Sequence, residues 1–285
     1  MAEAYIVDAV RTPVGRRGGG LSAVHPADLG AHSLKALMER TGVDPGAVED
    51  VIFGCVDTIG GQAGDIARTC WLAAGLPDHV PGTTIDRQCG SSQQAVHFAA
   101  QGVMSGTSDL IVAGGVQQMS TIPISSSMLV GDQFGYPDPF SGSLGWQERY
   151  GDQEVSQFRS AQMIADKWDC SRDEMESFAV ESHERAIRAR AEGRFDAEIA
   201  PFGEVMADEG PREPNWDKIR SLRPLEEGGT ITAAVASQIS DASAALLIAS
   251  EQAVEDHGLT PRARIHHLSV RADDPVWMLT APIPA

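Results

Sequence analysis

The sequence predicts an α/β protein in which helices cover both faces of a sheet rich in parallel strands. Two features of the first 120 residues support this: short apolar runs, and stretches of helical period between them. Ligands of such sheets usually bind beyond the carboxyl ends of the strands. The segments ending at Arg11 and at Cys89 are therefore the expected places for a site.

The alternation continues element by element through this first part. Apolar runs of strand length predict strands at residues 4–10, 48–55, 83–86 and 110–114. Apolar residues at helical spacing predict helices at residues 27–41, 65–74 and from Gly90 onward. The order is that of strands joined by crossover helices, which favours parallel pairing.

An insertion is predicted from about Thr121. Residues 122–150 are rich in Ser, Pro, Gly and aromatic residues, and helical patterns follow at residues 155–168 and 172–192. A buried strand at 242–249, a helix at 252–257 and a strand at 263–269 then resume the α/β pattern. The predicted division is an N-terminal domain at 1–120 and 233–262, a loop domain at 121–232, and the start of a C-terminal domain at 263–285.

Charge and composition exclude several classes of partner. The formal net charge is -18 and only three residues are lysines, which disfavours nucleic acid and anionic membrane surfaces. A local group such as Arg212, Arg220 and Arg223 could still bind the phosphates of a metabolite. With no apolar run of about 18 residues and no visible targeting segment, a cytoplasmic protein without a membrane span is expected.

The four cysteines have neither C-x-x-C spacing nor paired histidines nearby. This pattern predicts neither a zinc site nor a disulfide framework, and it is typical of a reduced compartment. We expect no metal and no prosthetic group.

Cys89 is the candidate nucleophile. It lies between a predicted strand and a predicted helix, where unsatisfied helix N–H groups and the macrodipole favour an anion such as a thiolate. Gly90 and the small residues Ser91 and Ser92 would let a substrate carbonyl come close. The residues alone leave open the alternative that Cys89 is a small core side chain.

The segment around Cys89 resembles the nucleophile motif of the thiolase family, and the rest of the chain resembles the same family in the same order. The matching segments are residues 5–20, 83–95, 109–120, 171–178, 192–202 and 222–245. Together they cover essentially all of the chain. The resemblance implies a thiolase-like layered fold with an inserted loop domain, and an acyltransferase activity.

The resemblance also implies roles for individual residues. Cys89 would form an acyl-cysteine from acyl-CoA or 3-ketoacyl-CoA, with its own backbone N–H in the oxyanion hole. Ser237 falls near the family's contact with the pantetheine arm of CoA, and Arg212 near its contact with the nucleotide. CoA is then a substrate carrier, no cofactor is implied, and a homodimer or homotetramer is expected.

Departures from the family pattern define the expected substrate. The segment around Ser156 and Phe158 lacks the His-Met pair of short-chain biosynthetic thiolases and is more similar to thiolases acting on bulky or steroid-derived acyl chains. Near Ser237, Ala-Ala-Val-Ala-Ser replaces the usual Ala-Gly-Asn-Ala-Ser, which predicts altered affinity for CoA. Degradative fatty-acid or steroid side-chain metabolism is favoured.

The family's C-terminal half, with its catalytic histidine and second cysteine, has no counterpart in these 285 residues. We therefore expect a truncated chain that lacks the C-terminal twin and has impaired turnover; the alternative is an inactive thiolase remnant that binds CoA or oligomerises. An unrelated cysteine hydrolase would need a nearby base. His97 does not provide one, since eight helical residues place it roughly 12 Å along the axis from Cys89.

Overall fold

The structure, a computed structural model, describes residues 3–285 and divides into two compact units. The first unit contains residues 3–135 together with Phe195–Gly210 and Ile239–Leu268. The second contains Tyr136–Arg194, Pro211–Gln238 and Ser269–Ala285. The domain boundaries at 120, 232 and 262 stay a prediction.

The first unit is built on one sheet. Its strands are β1 (Ala4–Arg11), β2 (Gly15–Arg16), β3 (Asp50–Gly54), β4 (Gly82–Ile85), β5 (Leu110–Gln118), β6 (Ser240–Ser250) and β7 (Ala263–Arg264). The order across the sheet is β4-β3-β5-β6-β1-β7, with β2 pairing to β6. Strand β3 is parallel to β4 and β5, whereas β6 is antiparallel to β5 and β1.

The sheet is therefore mixed, with parallel pairing among β3, β4 and β5 as expected and β6 antiparallel to both of its long neighbours. Strands β1, β3, β4 and β5 share one direction, and β6 runs against them. The reason is that the chain leaves the sheet after Gln118 and returns beside it, since Gln118 pairs with Asp241. A chain that re-enters a sheet at the same end from which it left runs antiparallel to the strand that it left. A crossover connection would have carried it to the opposite end of the sheet and made the two strands parallel.

Five α-helices belong to the described part of the first unit: α1 (Pro26–Thr41), α2 (Ile66–Ala73), α3 (Ser91–Ser105), α4 (Ser126–Leu129) and α9 (Glu251–Asp256). Buried side chains of α1 and α2 form one core cluster with Val112 of β5, and those of α3 form another with Ile111 and Ala113. Because neighbouring residues of a strand point to opposite faces, α3 covers one face of the sheet and α1 and α2 the other. The predicted layered α/β fold is confirmed.

Local sequence explains where α1 begins and ends. Pro26 occupies its first turn, and the His25 ring accepts a hydrogen bond from the Ala27 N–H at 3.2 Å. Gly42 follows the helix at a φ of 66° and donates its N–H to the Met38 carbonyl. Proline at the start and a left-handed glycine at the end confine the helix to the sixteen residues between them.

The second unit is mainly helical, with α5 (Leu144–Tyr150), α6 (Gln157–Lys167), α7 (Arg172–Ala191) and α8 (Trp216–Ser221). Helix α7 begins with a capping box in which Ser171 and Glu174 satisfy each other's backbone N–H groups. In the part of the chain that the structure describes, no helix is long and apolar enough to cross a membrane.

Replacing Arg172 by methionine is expected to destabilise the second unit by about 3 kcal/mol. Its guanidinium pairs at 2.7 Å with Glu176, which is 1% exposed, and it also donates to the carbonyl oxygens of Ile219, Arg220 and Leu222. The change leaves the buried carboxylate of Glu176 without its charged partner. Urea denaturation would measure the loss, with Arg185→Met as the matched control.

Arg185 also forms an i,i+4 pair on α7, with Glu181, but both side chains are more than half exposed. Its replacement should cost about 0.5 kcal/mol or less. Equal effects of the two substitutions would show that burial of Glu176 does not matter.

Candidate active site

Cys89 lies at the end of the sheet that holds the carboxyl ends of the strands running in one direction. Strand β4 ends at Ile85, four residues before Cys89, and β1 and β5 end at Arg11 and Gln118. Because β1, β4 and β5 run in the same direction, these three ends lie along one edge of the sheet. This is the edge at which open α/β sheets usually bind ligands.

A tight turn carries the Cys89 thiol between β4 and α3. The Gln88 N–H donates to the Asp86 carboxylate at 2.7 Å, and the Gly90 N–H donates to the Arg87 carbonyl at 3.1 Å. Gln88 has a φ of 49°, a left-handed conformation that is uncommon for a residue with a side chain. The turn leaves Cys89 exposed, which decides against a core role for this thiol.

The backbone at Cys89 is also available to a ligand. Within residues 3–285, the Cys89 N–H donates to no protein acceptor, although the neighbouring N–H groups of Gln88, Gly90 and Ser91 all do. It lies one residue before Gly90, the N-cap of α3, and the first turn of that helix carries a partial positive charge. An exposed thiol beside a free N–H can attack a carbonyl carbon and stabilise the oxyanion that results.

The start of helix α3 lies in close contact with the sheet because two glycines of the sheet leave room for it. A Cβ on Gly54, the last residue of β3, would lie 2.2 Å from the Ser92 nitrogen and 2.3 Å from the Ser91 carbonyl carbon. A Cβ on Gly115 of β5 would lie 2.6 Å from the Gly54 oxygen and 2.9 Å from the Ser92 Cβ. Any larger residue at Gly54 would push the start of α3, and Cys89 with it, away from the sheet.

The two serines after Gly90 differ in role, which the sequence does not reveal. Ser92 is exposed, as expected for a residue that leaves space for a substrate. Ser91 is only 4% exposed, and its hydroxyl bonds to the Arg87 N–H and the Gln88 carbonyl. The one sequence signal for this inward role is the spacing: the serine lies four residues after Arg87, whose N–H donates to its hydroxyl.

The remaining cysteines divide by burial. Cys55 and Cys70 are buried and Cys170 is exposed. Burial, with a smaller effect of the Asp57 and Asp86 charges, raises the pKa of the Cys55 thiol to about 12. Burial also raises the pKa of the Cys70 thiol. Neither buried thiol can supply thiolate near neutral pH.

Iodoacetamide at about pH 8 is therefore expected to modify Cys89 and Cys170 in the folded protein and to spare Cys55 and Cys70. Alkylation needs both access and thiolate, and the buried pair lacks both. Peptide mapping by mass spectrometry would locate the modified residues. Protein unfolded in urea is the control, in which all four cysteines should react; equal labelling of Cys55 in the folded state would contradict the burial.

His97 is buried on α3, and no hydrogen bond among the described residues joins it to Cys89. Burial first, and the Arg87 charge second, lower the pKa of His97, so the ring is neutral at physiological pH.

Ser237 and Arg212 both fall in the second unit, and both are exposed. Ser237 lies in the segment that precedes β6. The Arg212 N–H donates to Nδ1 of His183 at 3.5 Å. Burial first, and the Arg212 charge second, lower the pKa of His183. Their binding roles stay predictions.

Across residues 3–285, no group of three or more His, Cys, Asp or Glu side chains could hold a metal ion.

Comparison of the chain with known proteins gives matches to one family. The model of the thiolase N-terminal domain matches residues 4–252. The chain is 62% identical to a steroid 3-ketoacyl-CoA thiolase of Mycobacterium tuberculosis, over all of this chain and 71% of that protein. It is 37% identical to a 3-oxoadipyl-CoA/3-oxo-5,6-dehydrosuberyl-CoA thiolase of Escherichia coli, over all of this chain and 75% of that protein.

A solved structure is similar as well. The acetyl-CoA acetyltransferase of Bacillus anthracis superimposes with a TM-score of 0.82 at 32% sequence identity, covering 98% of this chain and 73% of that one. The likeness therefore extends over both compact units and not only over the sheet around Cys89.

Proposed function

The chain belongs to the thiolase family, and on that premise we propose that it forms an acyl-cysteine on Cys89 from an acyl-CoA or 3-ketoacyl-CoA. Enzymes of this family are acyltransferases that use acyl-CoA substrates and CoA. One observation carries the assignment to Cys89: its thiol is exposed at the start of α3 beside a backbone N–H that no group of the described chain uses. No other cysteine of the described chain combines these features.

The chemistry proposed for Cys89 is a nucleophilic substitution at carbon. The thiolate attacks the carbonyl carbon, a C–S bond forms, and the carbonyl electron pair moves to oxygen. The Cys89 N–H and the positive end of α3 stabilise that oxyanion. With an acyl-CoA the oxyanion collapses by releasing CoA thiolate; with a 3-ketoacyl-CoA it collapses by breaking the C2–C3 bond, and the acetyl-CoA carbanion takes up a proton. A CoA thiol then accepts the acyl group.

A bulky acyl chain is the substrate class that we propose. The relative from Mycobacterium tuberculosis that is 62% identical is a thiolase of steroid 3-ketoacyl-CoA, whereas the relative named for 3-oxoadipyl-CoA is 37% identical. The sequence around Ser156 and Phe158, which lacks the His-Met pair of short-chain biosynthetic thiolases, supports the same substrate class and, with it, degradative lipid metabolism.

Intact mass spectrometry tests this function directly. The protein is incubated with acetyl-CoA, with a long-chain acyl-CoA and with a steroid side-chain acyl-CoA, and any adduct is mapped to a peptide. We expect an acyl group on Cys89, formed fastest from the bulky substrates. No adduct from any of the three, with CoA binding retained in calorimetry, would instead support the reading of a CoA-binding protein without turnover.

Arg212 and Ser237 are proposed to bind CoA through its nucleotide and its pantetheine arm. Replacing Arg212 by glutamine should weaken CoA binding about tenfold, since a hydrogen bond from a charged donor to phosphate contributes roughly 1.5 kcal/mol. Isothermal titration calorimetry with CoA measures the change. Arg185→Gln, on α7 of the same unit, is the control; an equal loss with both variants would point to net charge and not to a site.

A further inference from the structure

The residue before Cys89 is held in a conformation that it would not adopt freely. Gln88 has a φ of 49°, in the left-handed region where a Cβ meets steric resistance. Such a residue keeps its conformation only when its surroundings hold it there. Because Gln88 is bonded directly to Cys89, relaxation of Gln88 would turn the Cys89 thiol and its N–H away from their present direction.

The side chain of Ser91 restrains this turn at two points. The Ser91 hydroxyl donates to the Gln88 carbonyl at 2.6 Å and accepts from the Arg87 N–H at 2.8 Å. The Ser91 backbone N–H donates to the same Gln88 carbonyl at 3.1 Å. Two donors of Ser91 thus converge on one oxygen, which ties the strained residue to the first turn of α3.

The Ser91 hydroxyl is itself confined by the sheet. The side chain is 4% exposed, and a Cβ on Gly54 would lie 2.7 Å from the Ser91 Cβ. The hydroxyl therefore points inward to the turn and cannot reach a substrate that approaches Cys89 from solvent. The neighbouring Ser92 hydroxyl, in contrast, is exposed and bonds to no group within residues 3–285.

From this arrangement we propose that Ser91 is a positioning residue for the nucleophile, whose hydroxyl holds Gln88 in its left-handed conformation and thereby keeps the Cys89 thiol and N–H at the start of α3. The proposal rests on the proposed function for the identity of the nucleophile. Ser91 acts through Gln88 and touches neither the thiol nor the substrate.

Removal of the hydroxyl has a defined consequence. In Ser91→Ala, the Arg87 N–H loses its acceptor and the Gln88 carbonyl loses one of its two donors. Gln88 then relaxes toward a negative φ, and the thiolate leaves the field of the helix. Acylation by acyl-CoA should fall about tenfold or more through misorientation. Alkylation of Cys89 by iodoacetamide near neutral pH should fall about two- to fivefold through loss of the helix field.

The decisive measurement is the rate of Cys89 alkylation by iodoacetamide at one fixed pH, followed by peptide mapping. It requires no acyl-CoA, so it tests the positioning of Cys89 even if the proposed function fails. We expect the rate to fall in Ser91→Ala and to stay unchanged in Ser105→Ala, the same change at the last residue of α3. A Ser91→Ala protein with the wild-type rate would overturn the proposal.

Glycine at position 88 provides a rescue, because glycine adopts a positive φ without steric resistance. The double variant Q88G/S91A should recover the alkylation rate and most of the acylation rate of Q88G alone. If Ser91→Ala fails to fold, the double variant carries the test. A double variant that also fails to fold, or folds with the impaired alkylation of a displaced thiol, would show that Ser91 does not act by holding Gln88.

Discussion

Replacing Cys89 by alanine is expected to lower acyl transfer by about a thousandfold or more, because no other group in the turn can form the covalent intermediate. The thiol is exposed and packs against no core cluster, so the free energy of unfolding should change by about 0.5 kcal/mol or less. Turnover of a 3-ketoacyl-CoA in the presence of CoA, and the mass of the acyl-enzyme, would both be measured.

Cys170→Ala is the matched control for that experiment. Cys170 is also an exposed free thiol, but it lies between α6 and α7 in the second unit, and its N–H already donates to the Ala165 carbonyl at 2.9 Å. Its removal should leave acylation and turnover at the wild-type level. An acyl adduct that persists in Cys89→Ala and disappears in Cys170→Ala would reverse the assignment of the nucleophile.

Replacing Gly114 by alanine should cause one of the largest losses of stability available to a single methyl group, about 3 kcal/mol. The added Cβ would lie 2.0 Å from the Ala244 oxygen and 3.0 Å from the Ala245 Cα. Both atoms belong to the backbone of β6, the strand paired with β5. Since β5 and β6 are inner strands of the sheet, neither can move aside without disturbing a second neighbour.

Guanidinium denaturation of Gly114→Ala and Gly145→Ala would test this. Gly145 lies in α5, and a Cβ there would meet nothing within 4 Å. The same chemical change should therefore leave stability equal or raise it by roughly 0.5 to 1 kcal/mol, as expected for glycine to alanine in a helix. A Gly114→Ala protein that unfolds at the wild-type denaturant concentration would show that β6 can accommodate the methyl group.

Much of the secondary structure is predictable because its signals are local. Strands β1, β3, β4, β5 and β6 and helices α1, α2, α3, α6, α7 and α9 all occur where apolar periodicity predicts them, with ends shifted by a few residues. The short helices α4, α5 and α8 were not predicted, since four to seven residues show too little periodicity. The strand predicted at 263–269 is confined to Ala263–Arg264, because only those residues pair with β1.

The features of the candidate site likewise divide into those that the sequence predicts and those that only the structure shows. The sequence alone identifies Cys89 at a strand-to-helix junction, and the motifs along the chain identify the family, because both are read from residues adjacent in the chain. The exposure of the Cys89 thiol, its unbonded N–H and the inward hydroxyl of Ser91 depend on backbone angles that a residue type does not specify.

By itself, then, the sequence determined the nucleophile candidate and the α/β alternation. Only the tertiary structure decided that β6 runs against its neighbours and that Gly54 lets α3 start against the sheet. The physical reason is distance along the chain. Strand direction and close approach arise between segments that are tens of residues apart, where hydrogen bonding and steric exclusion act but sequence periodicity carries no information.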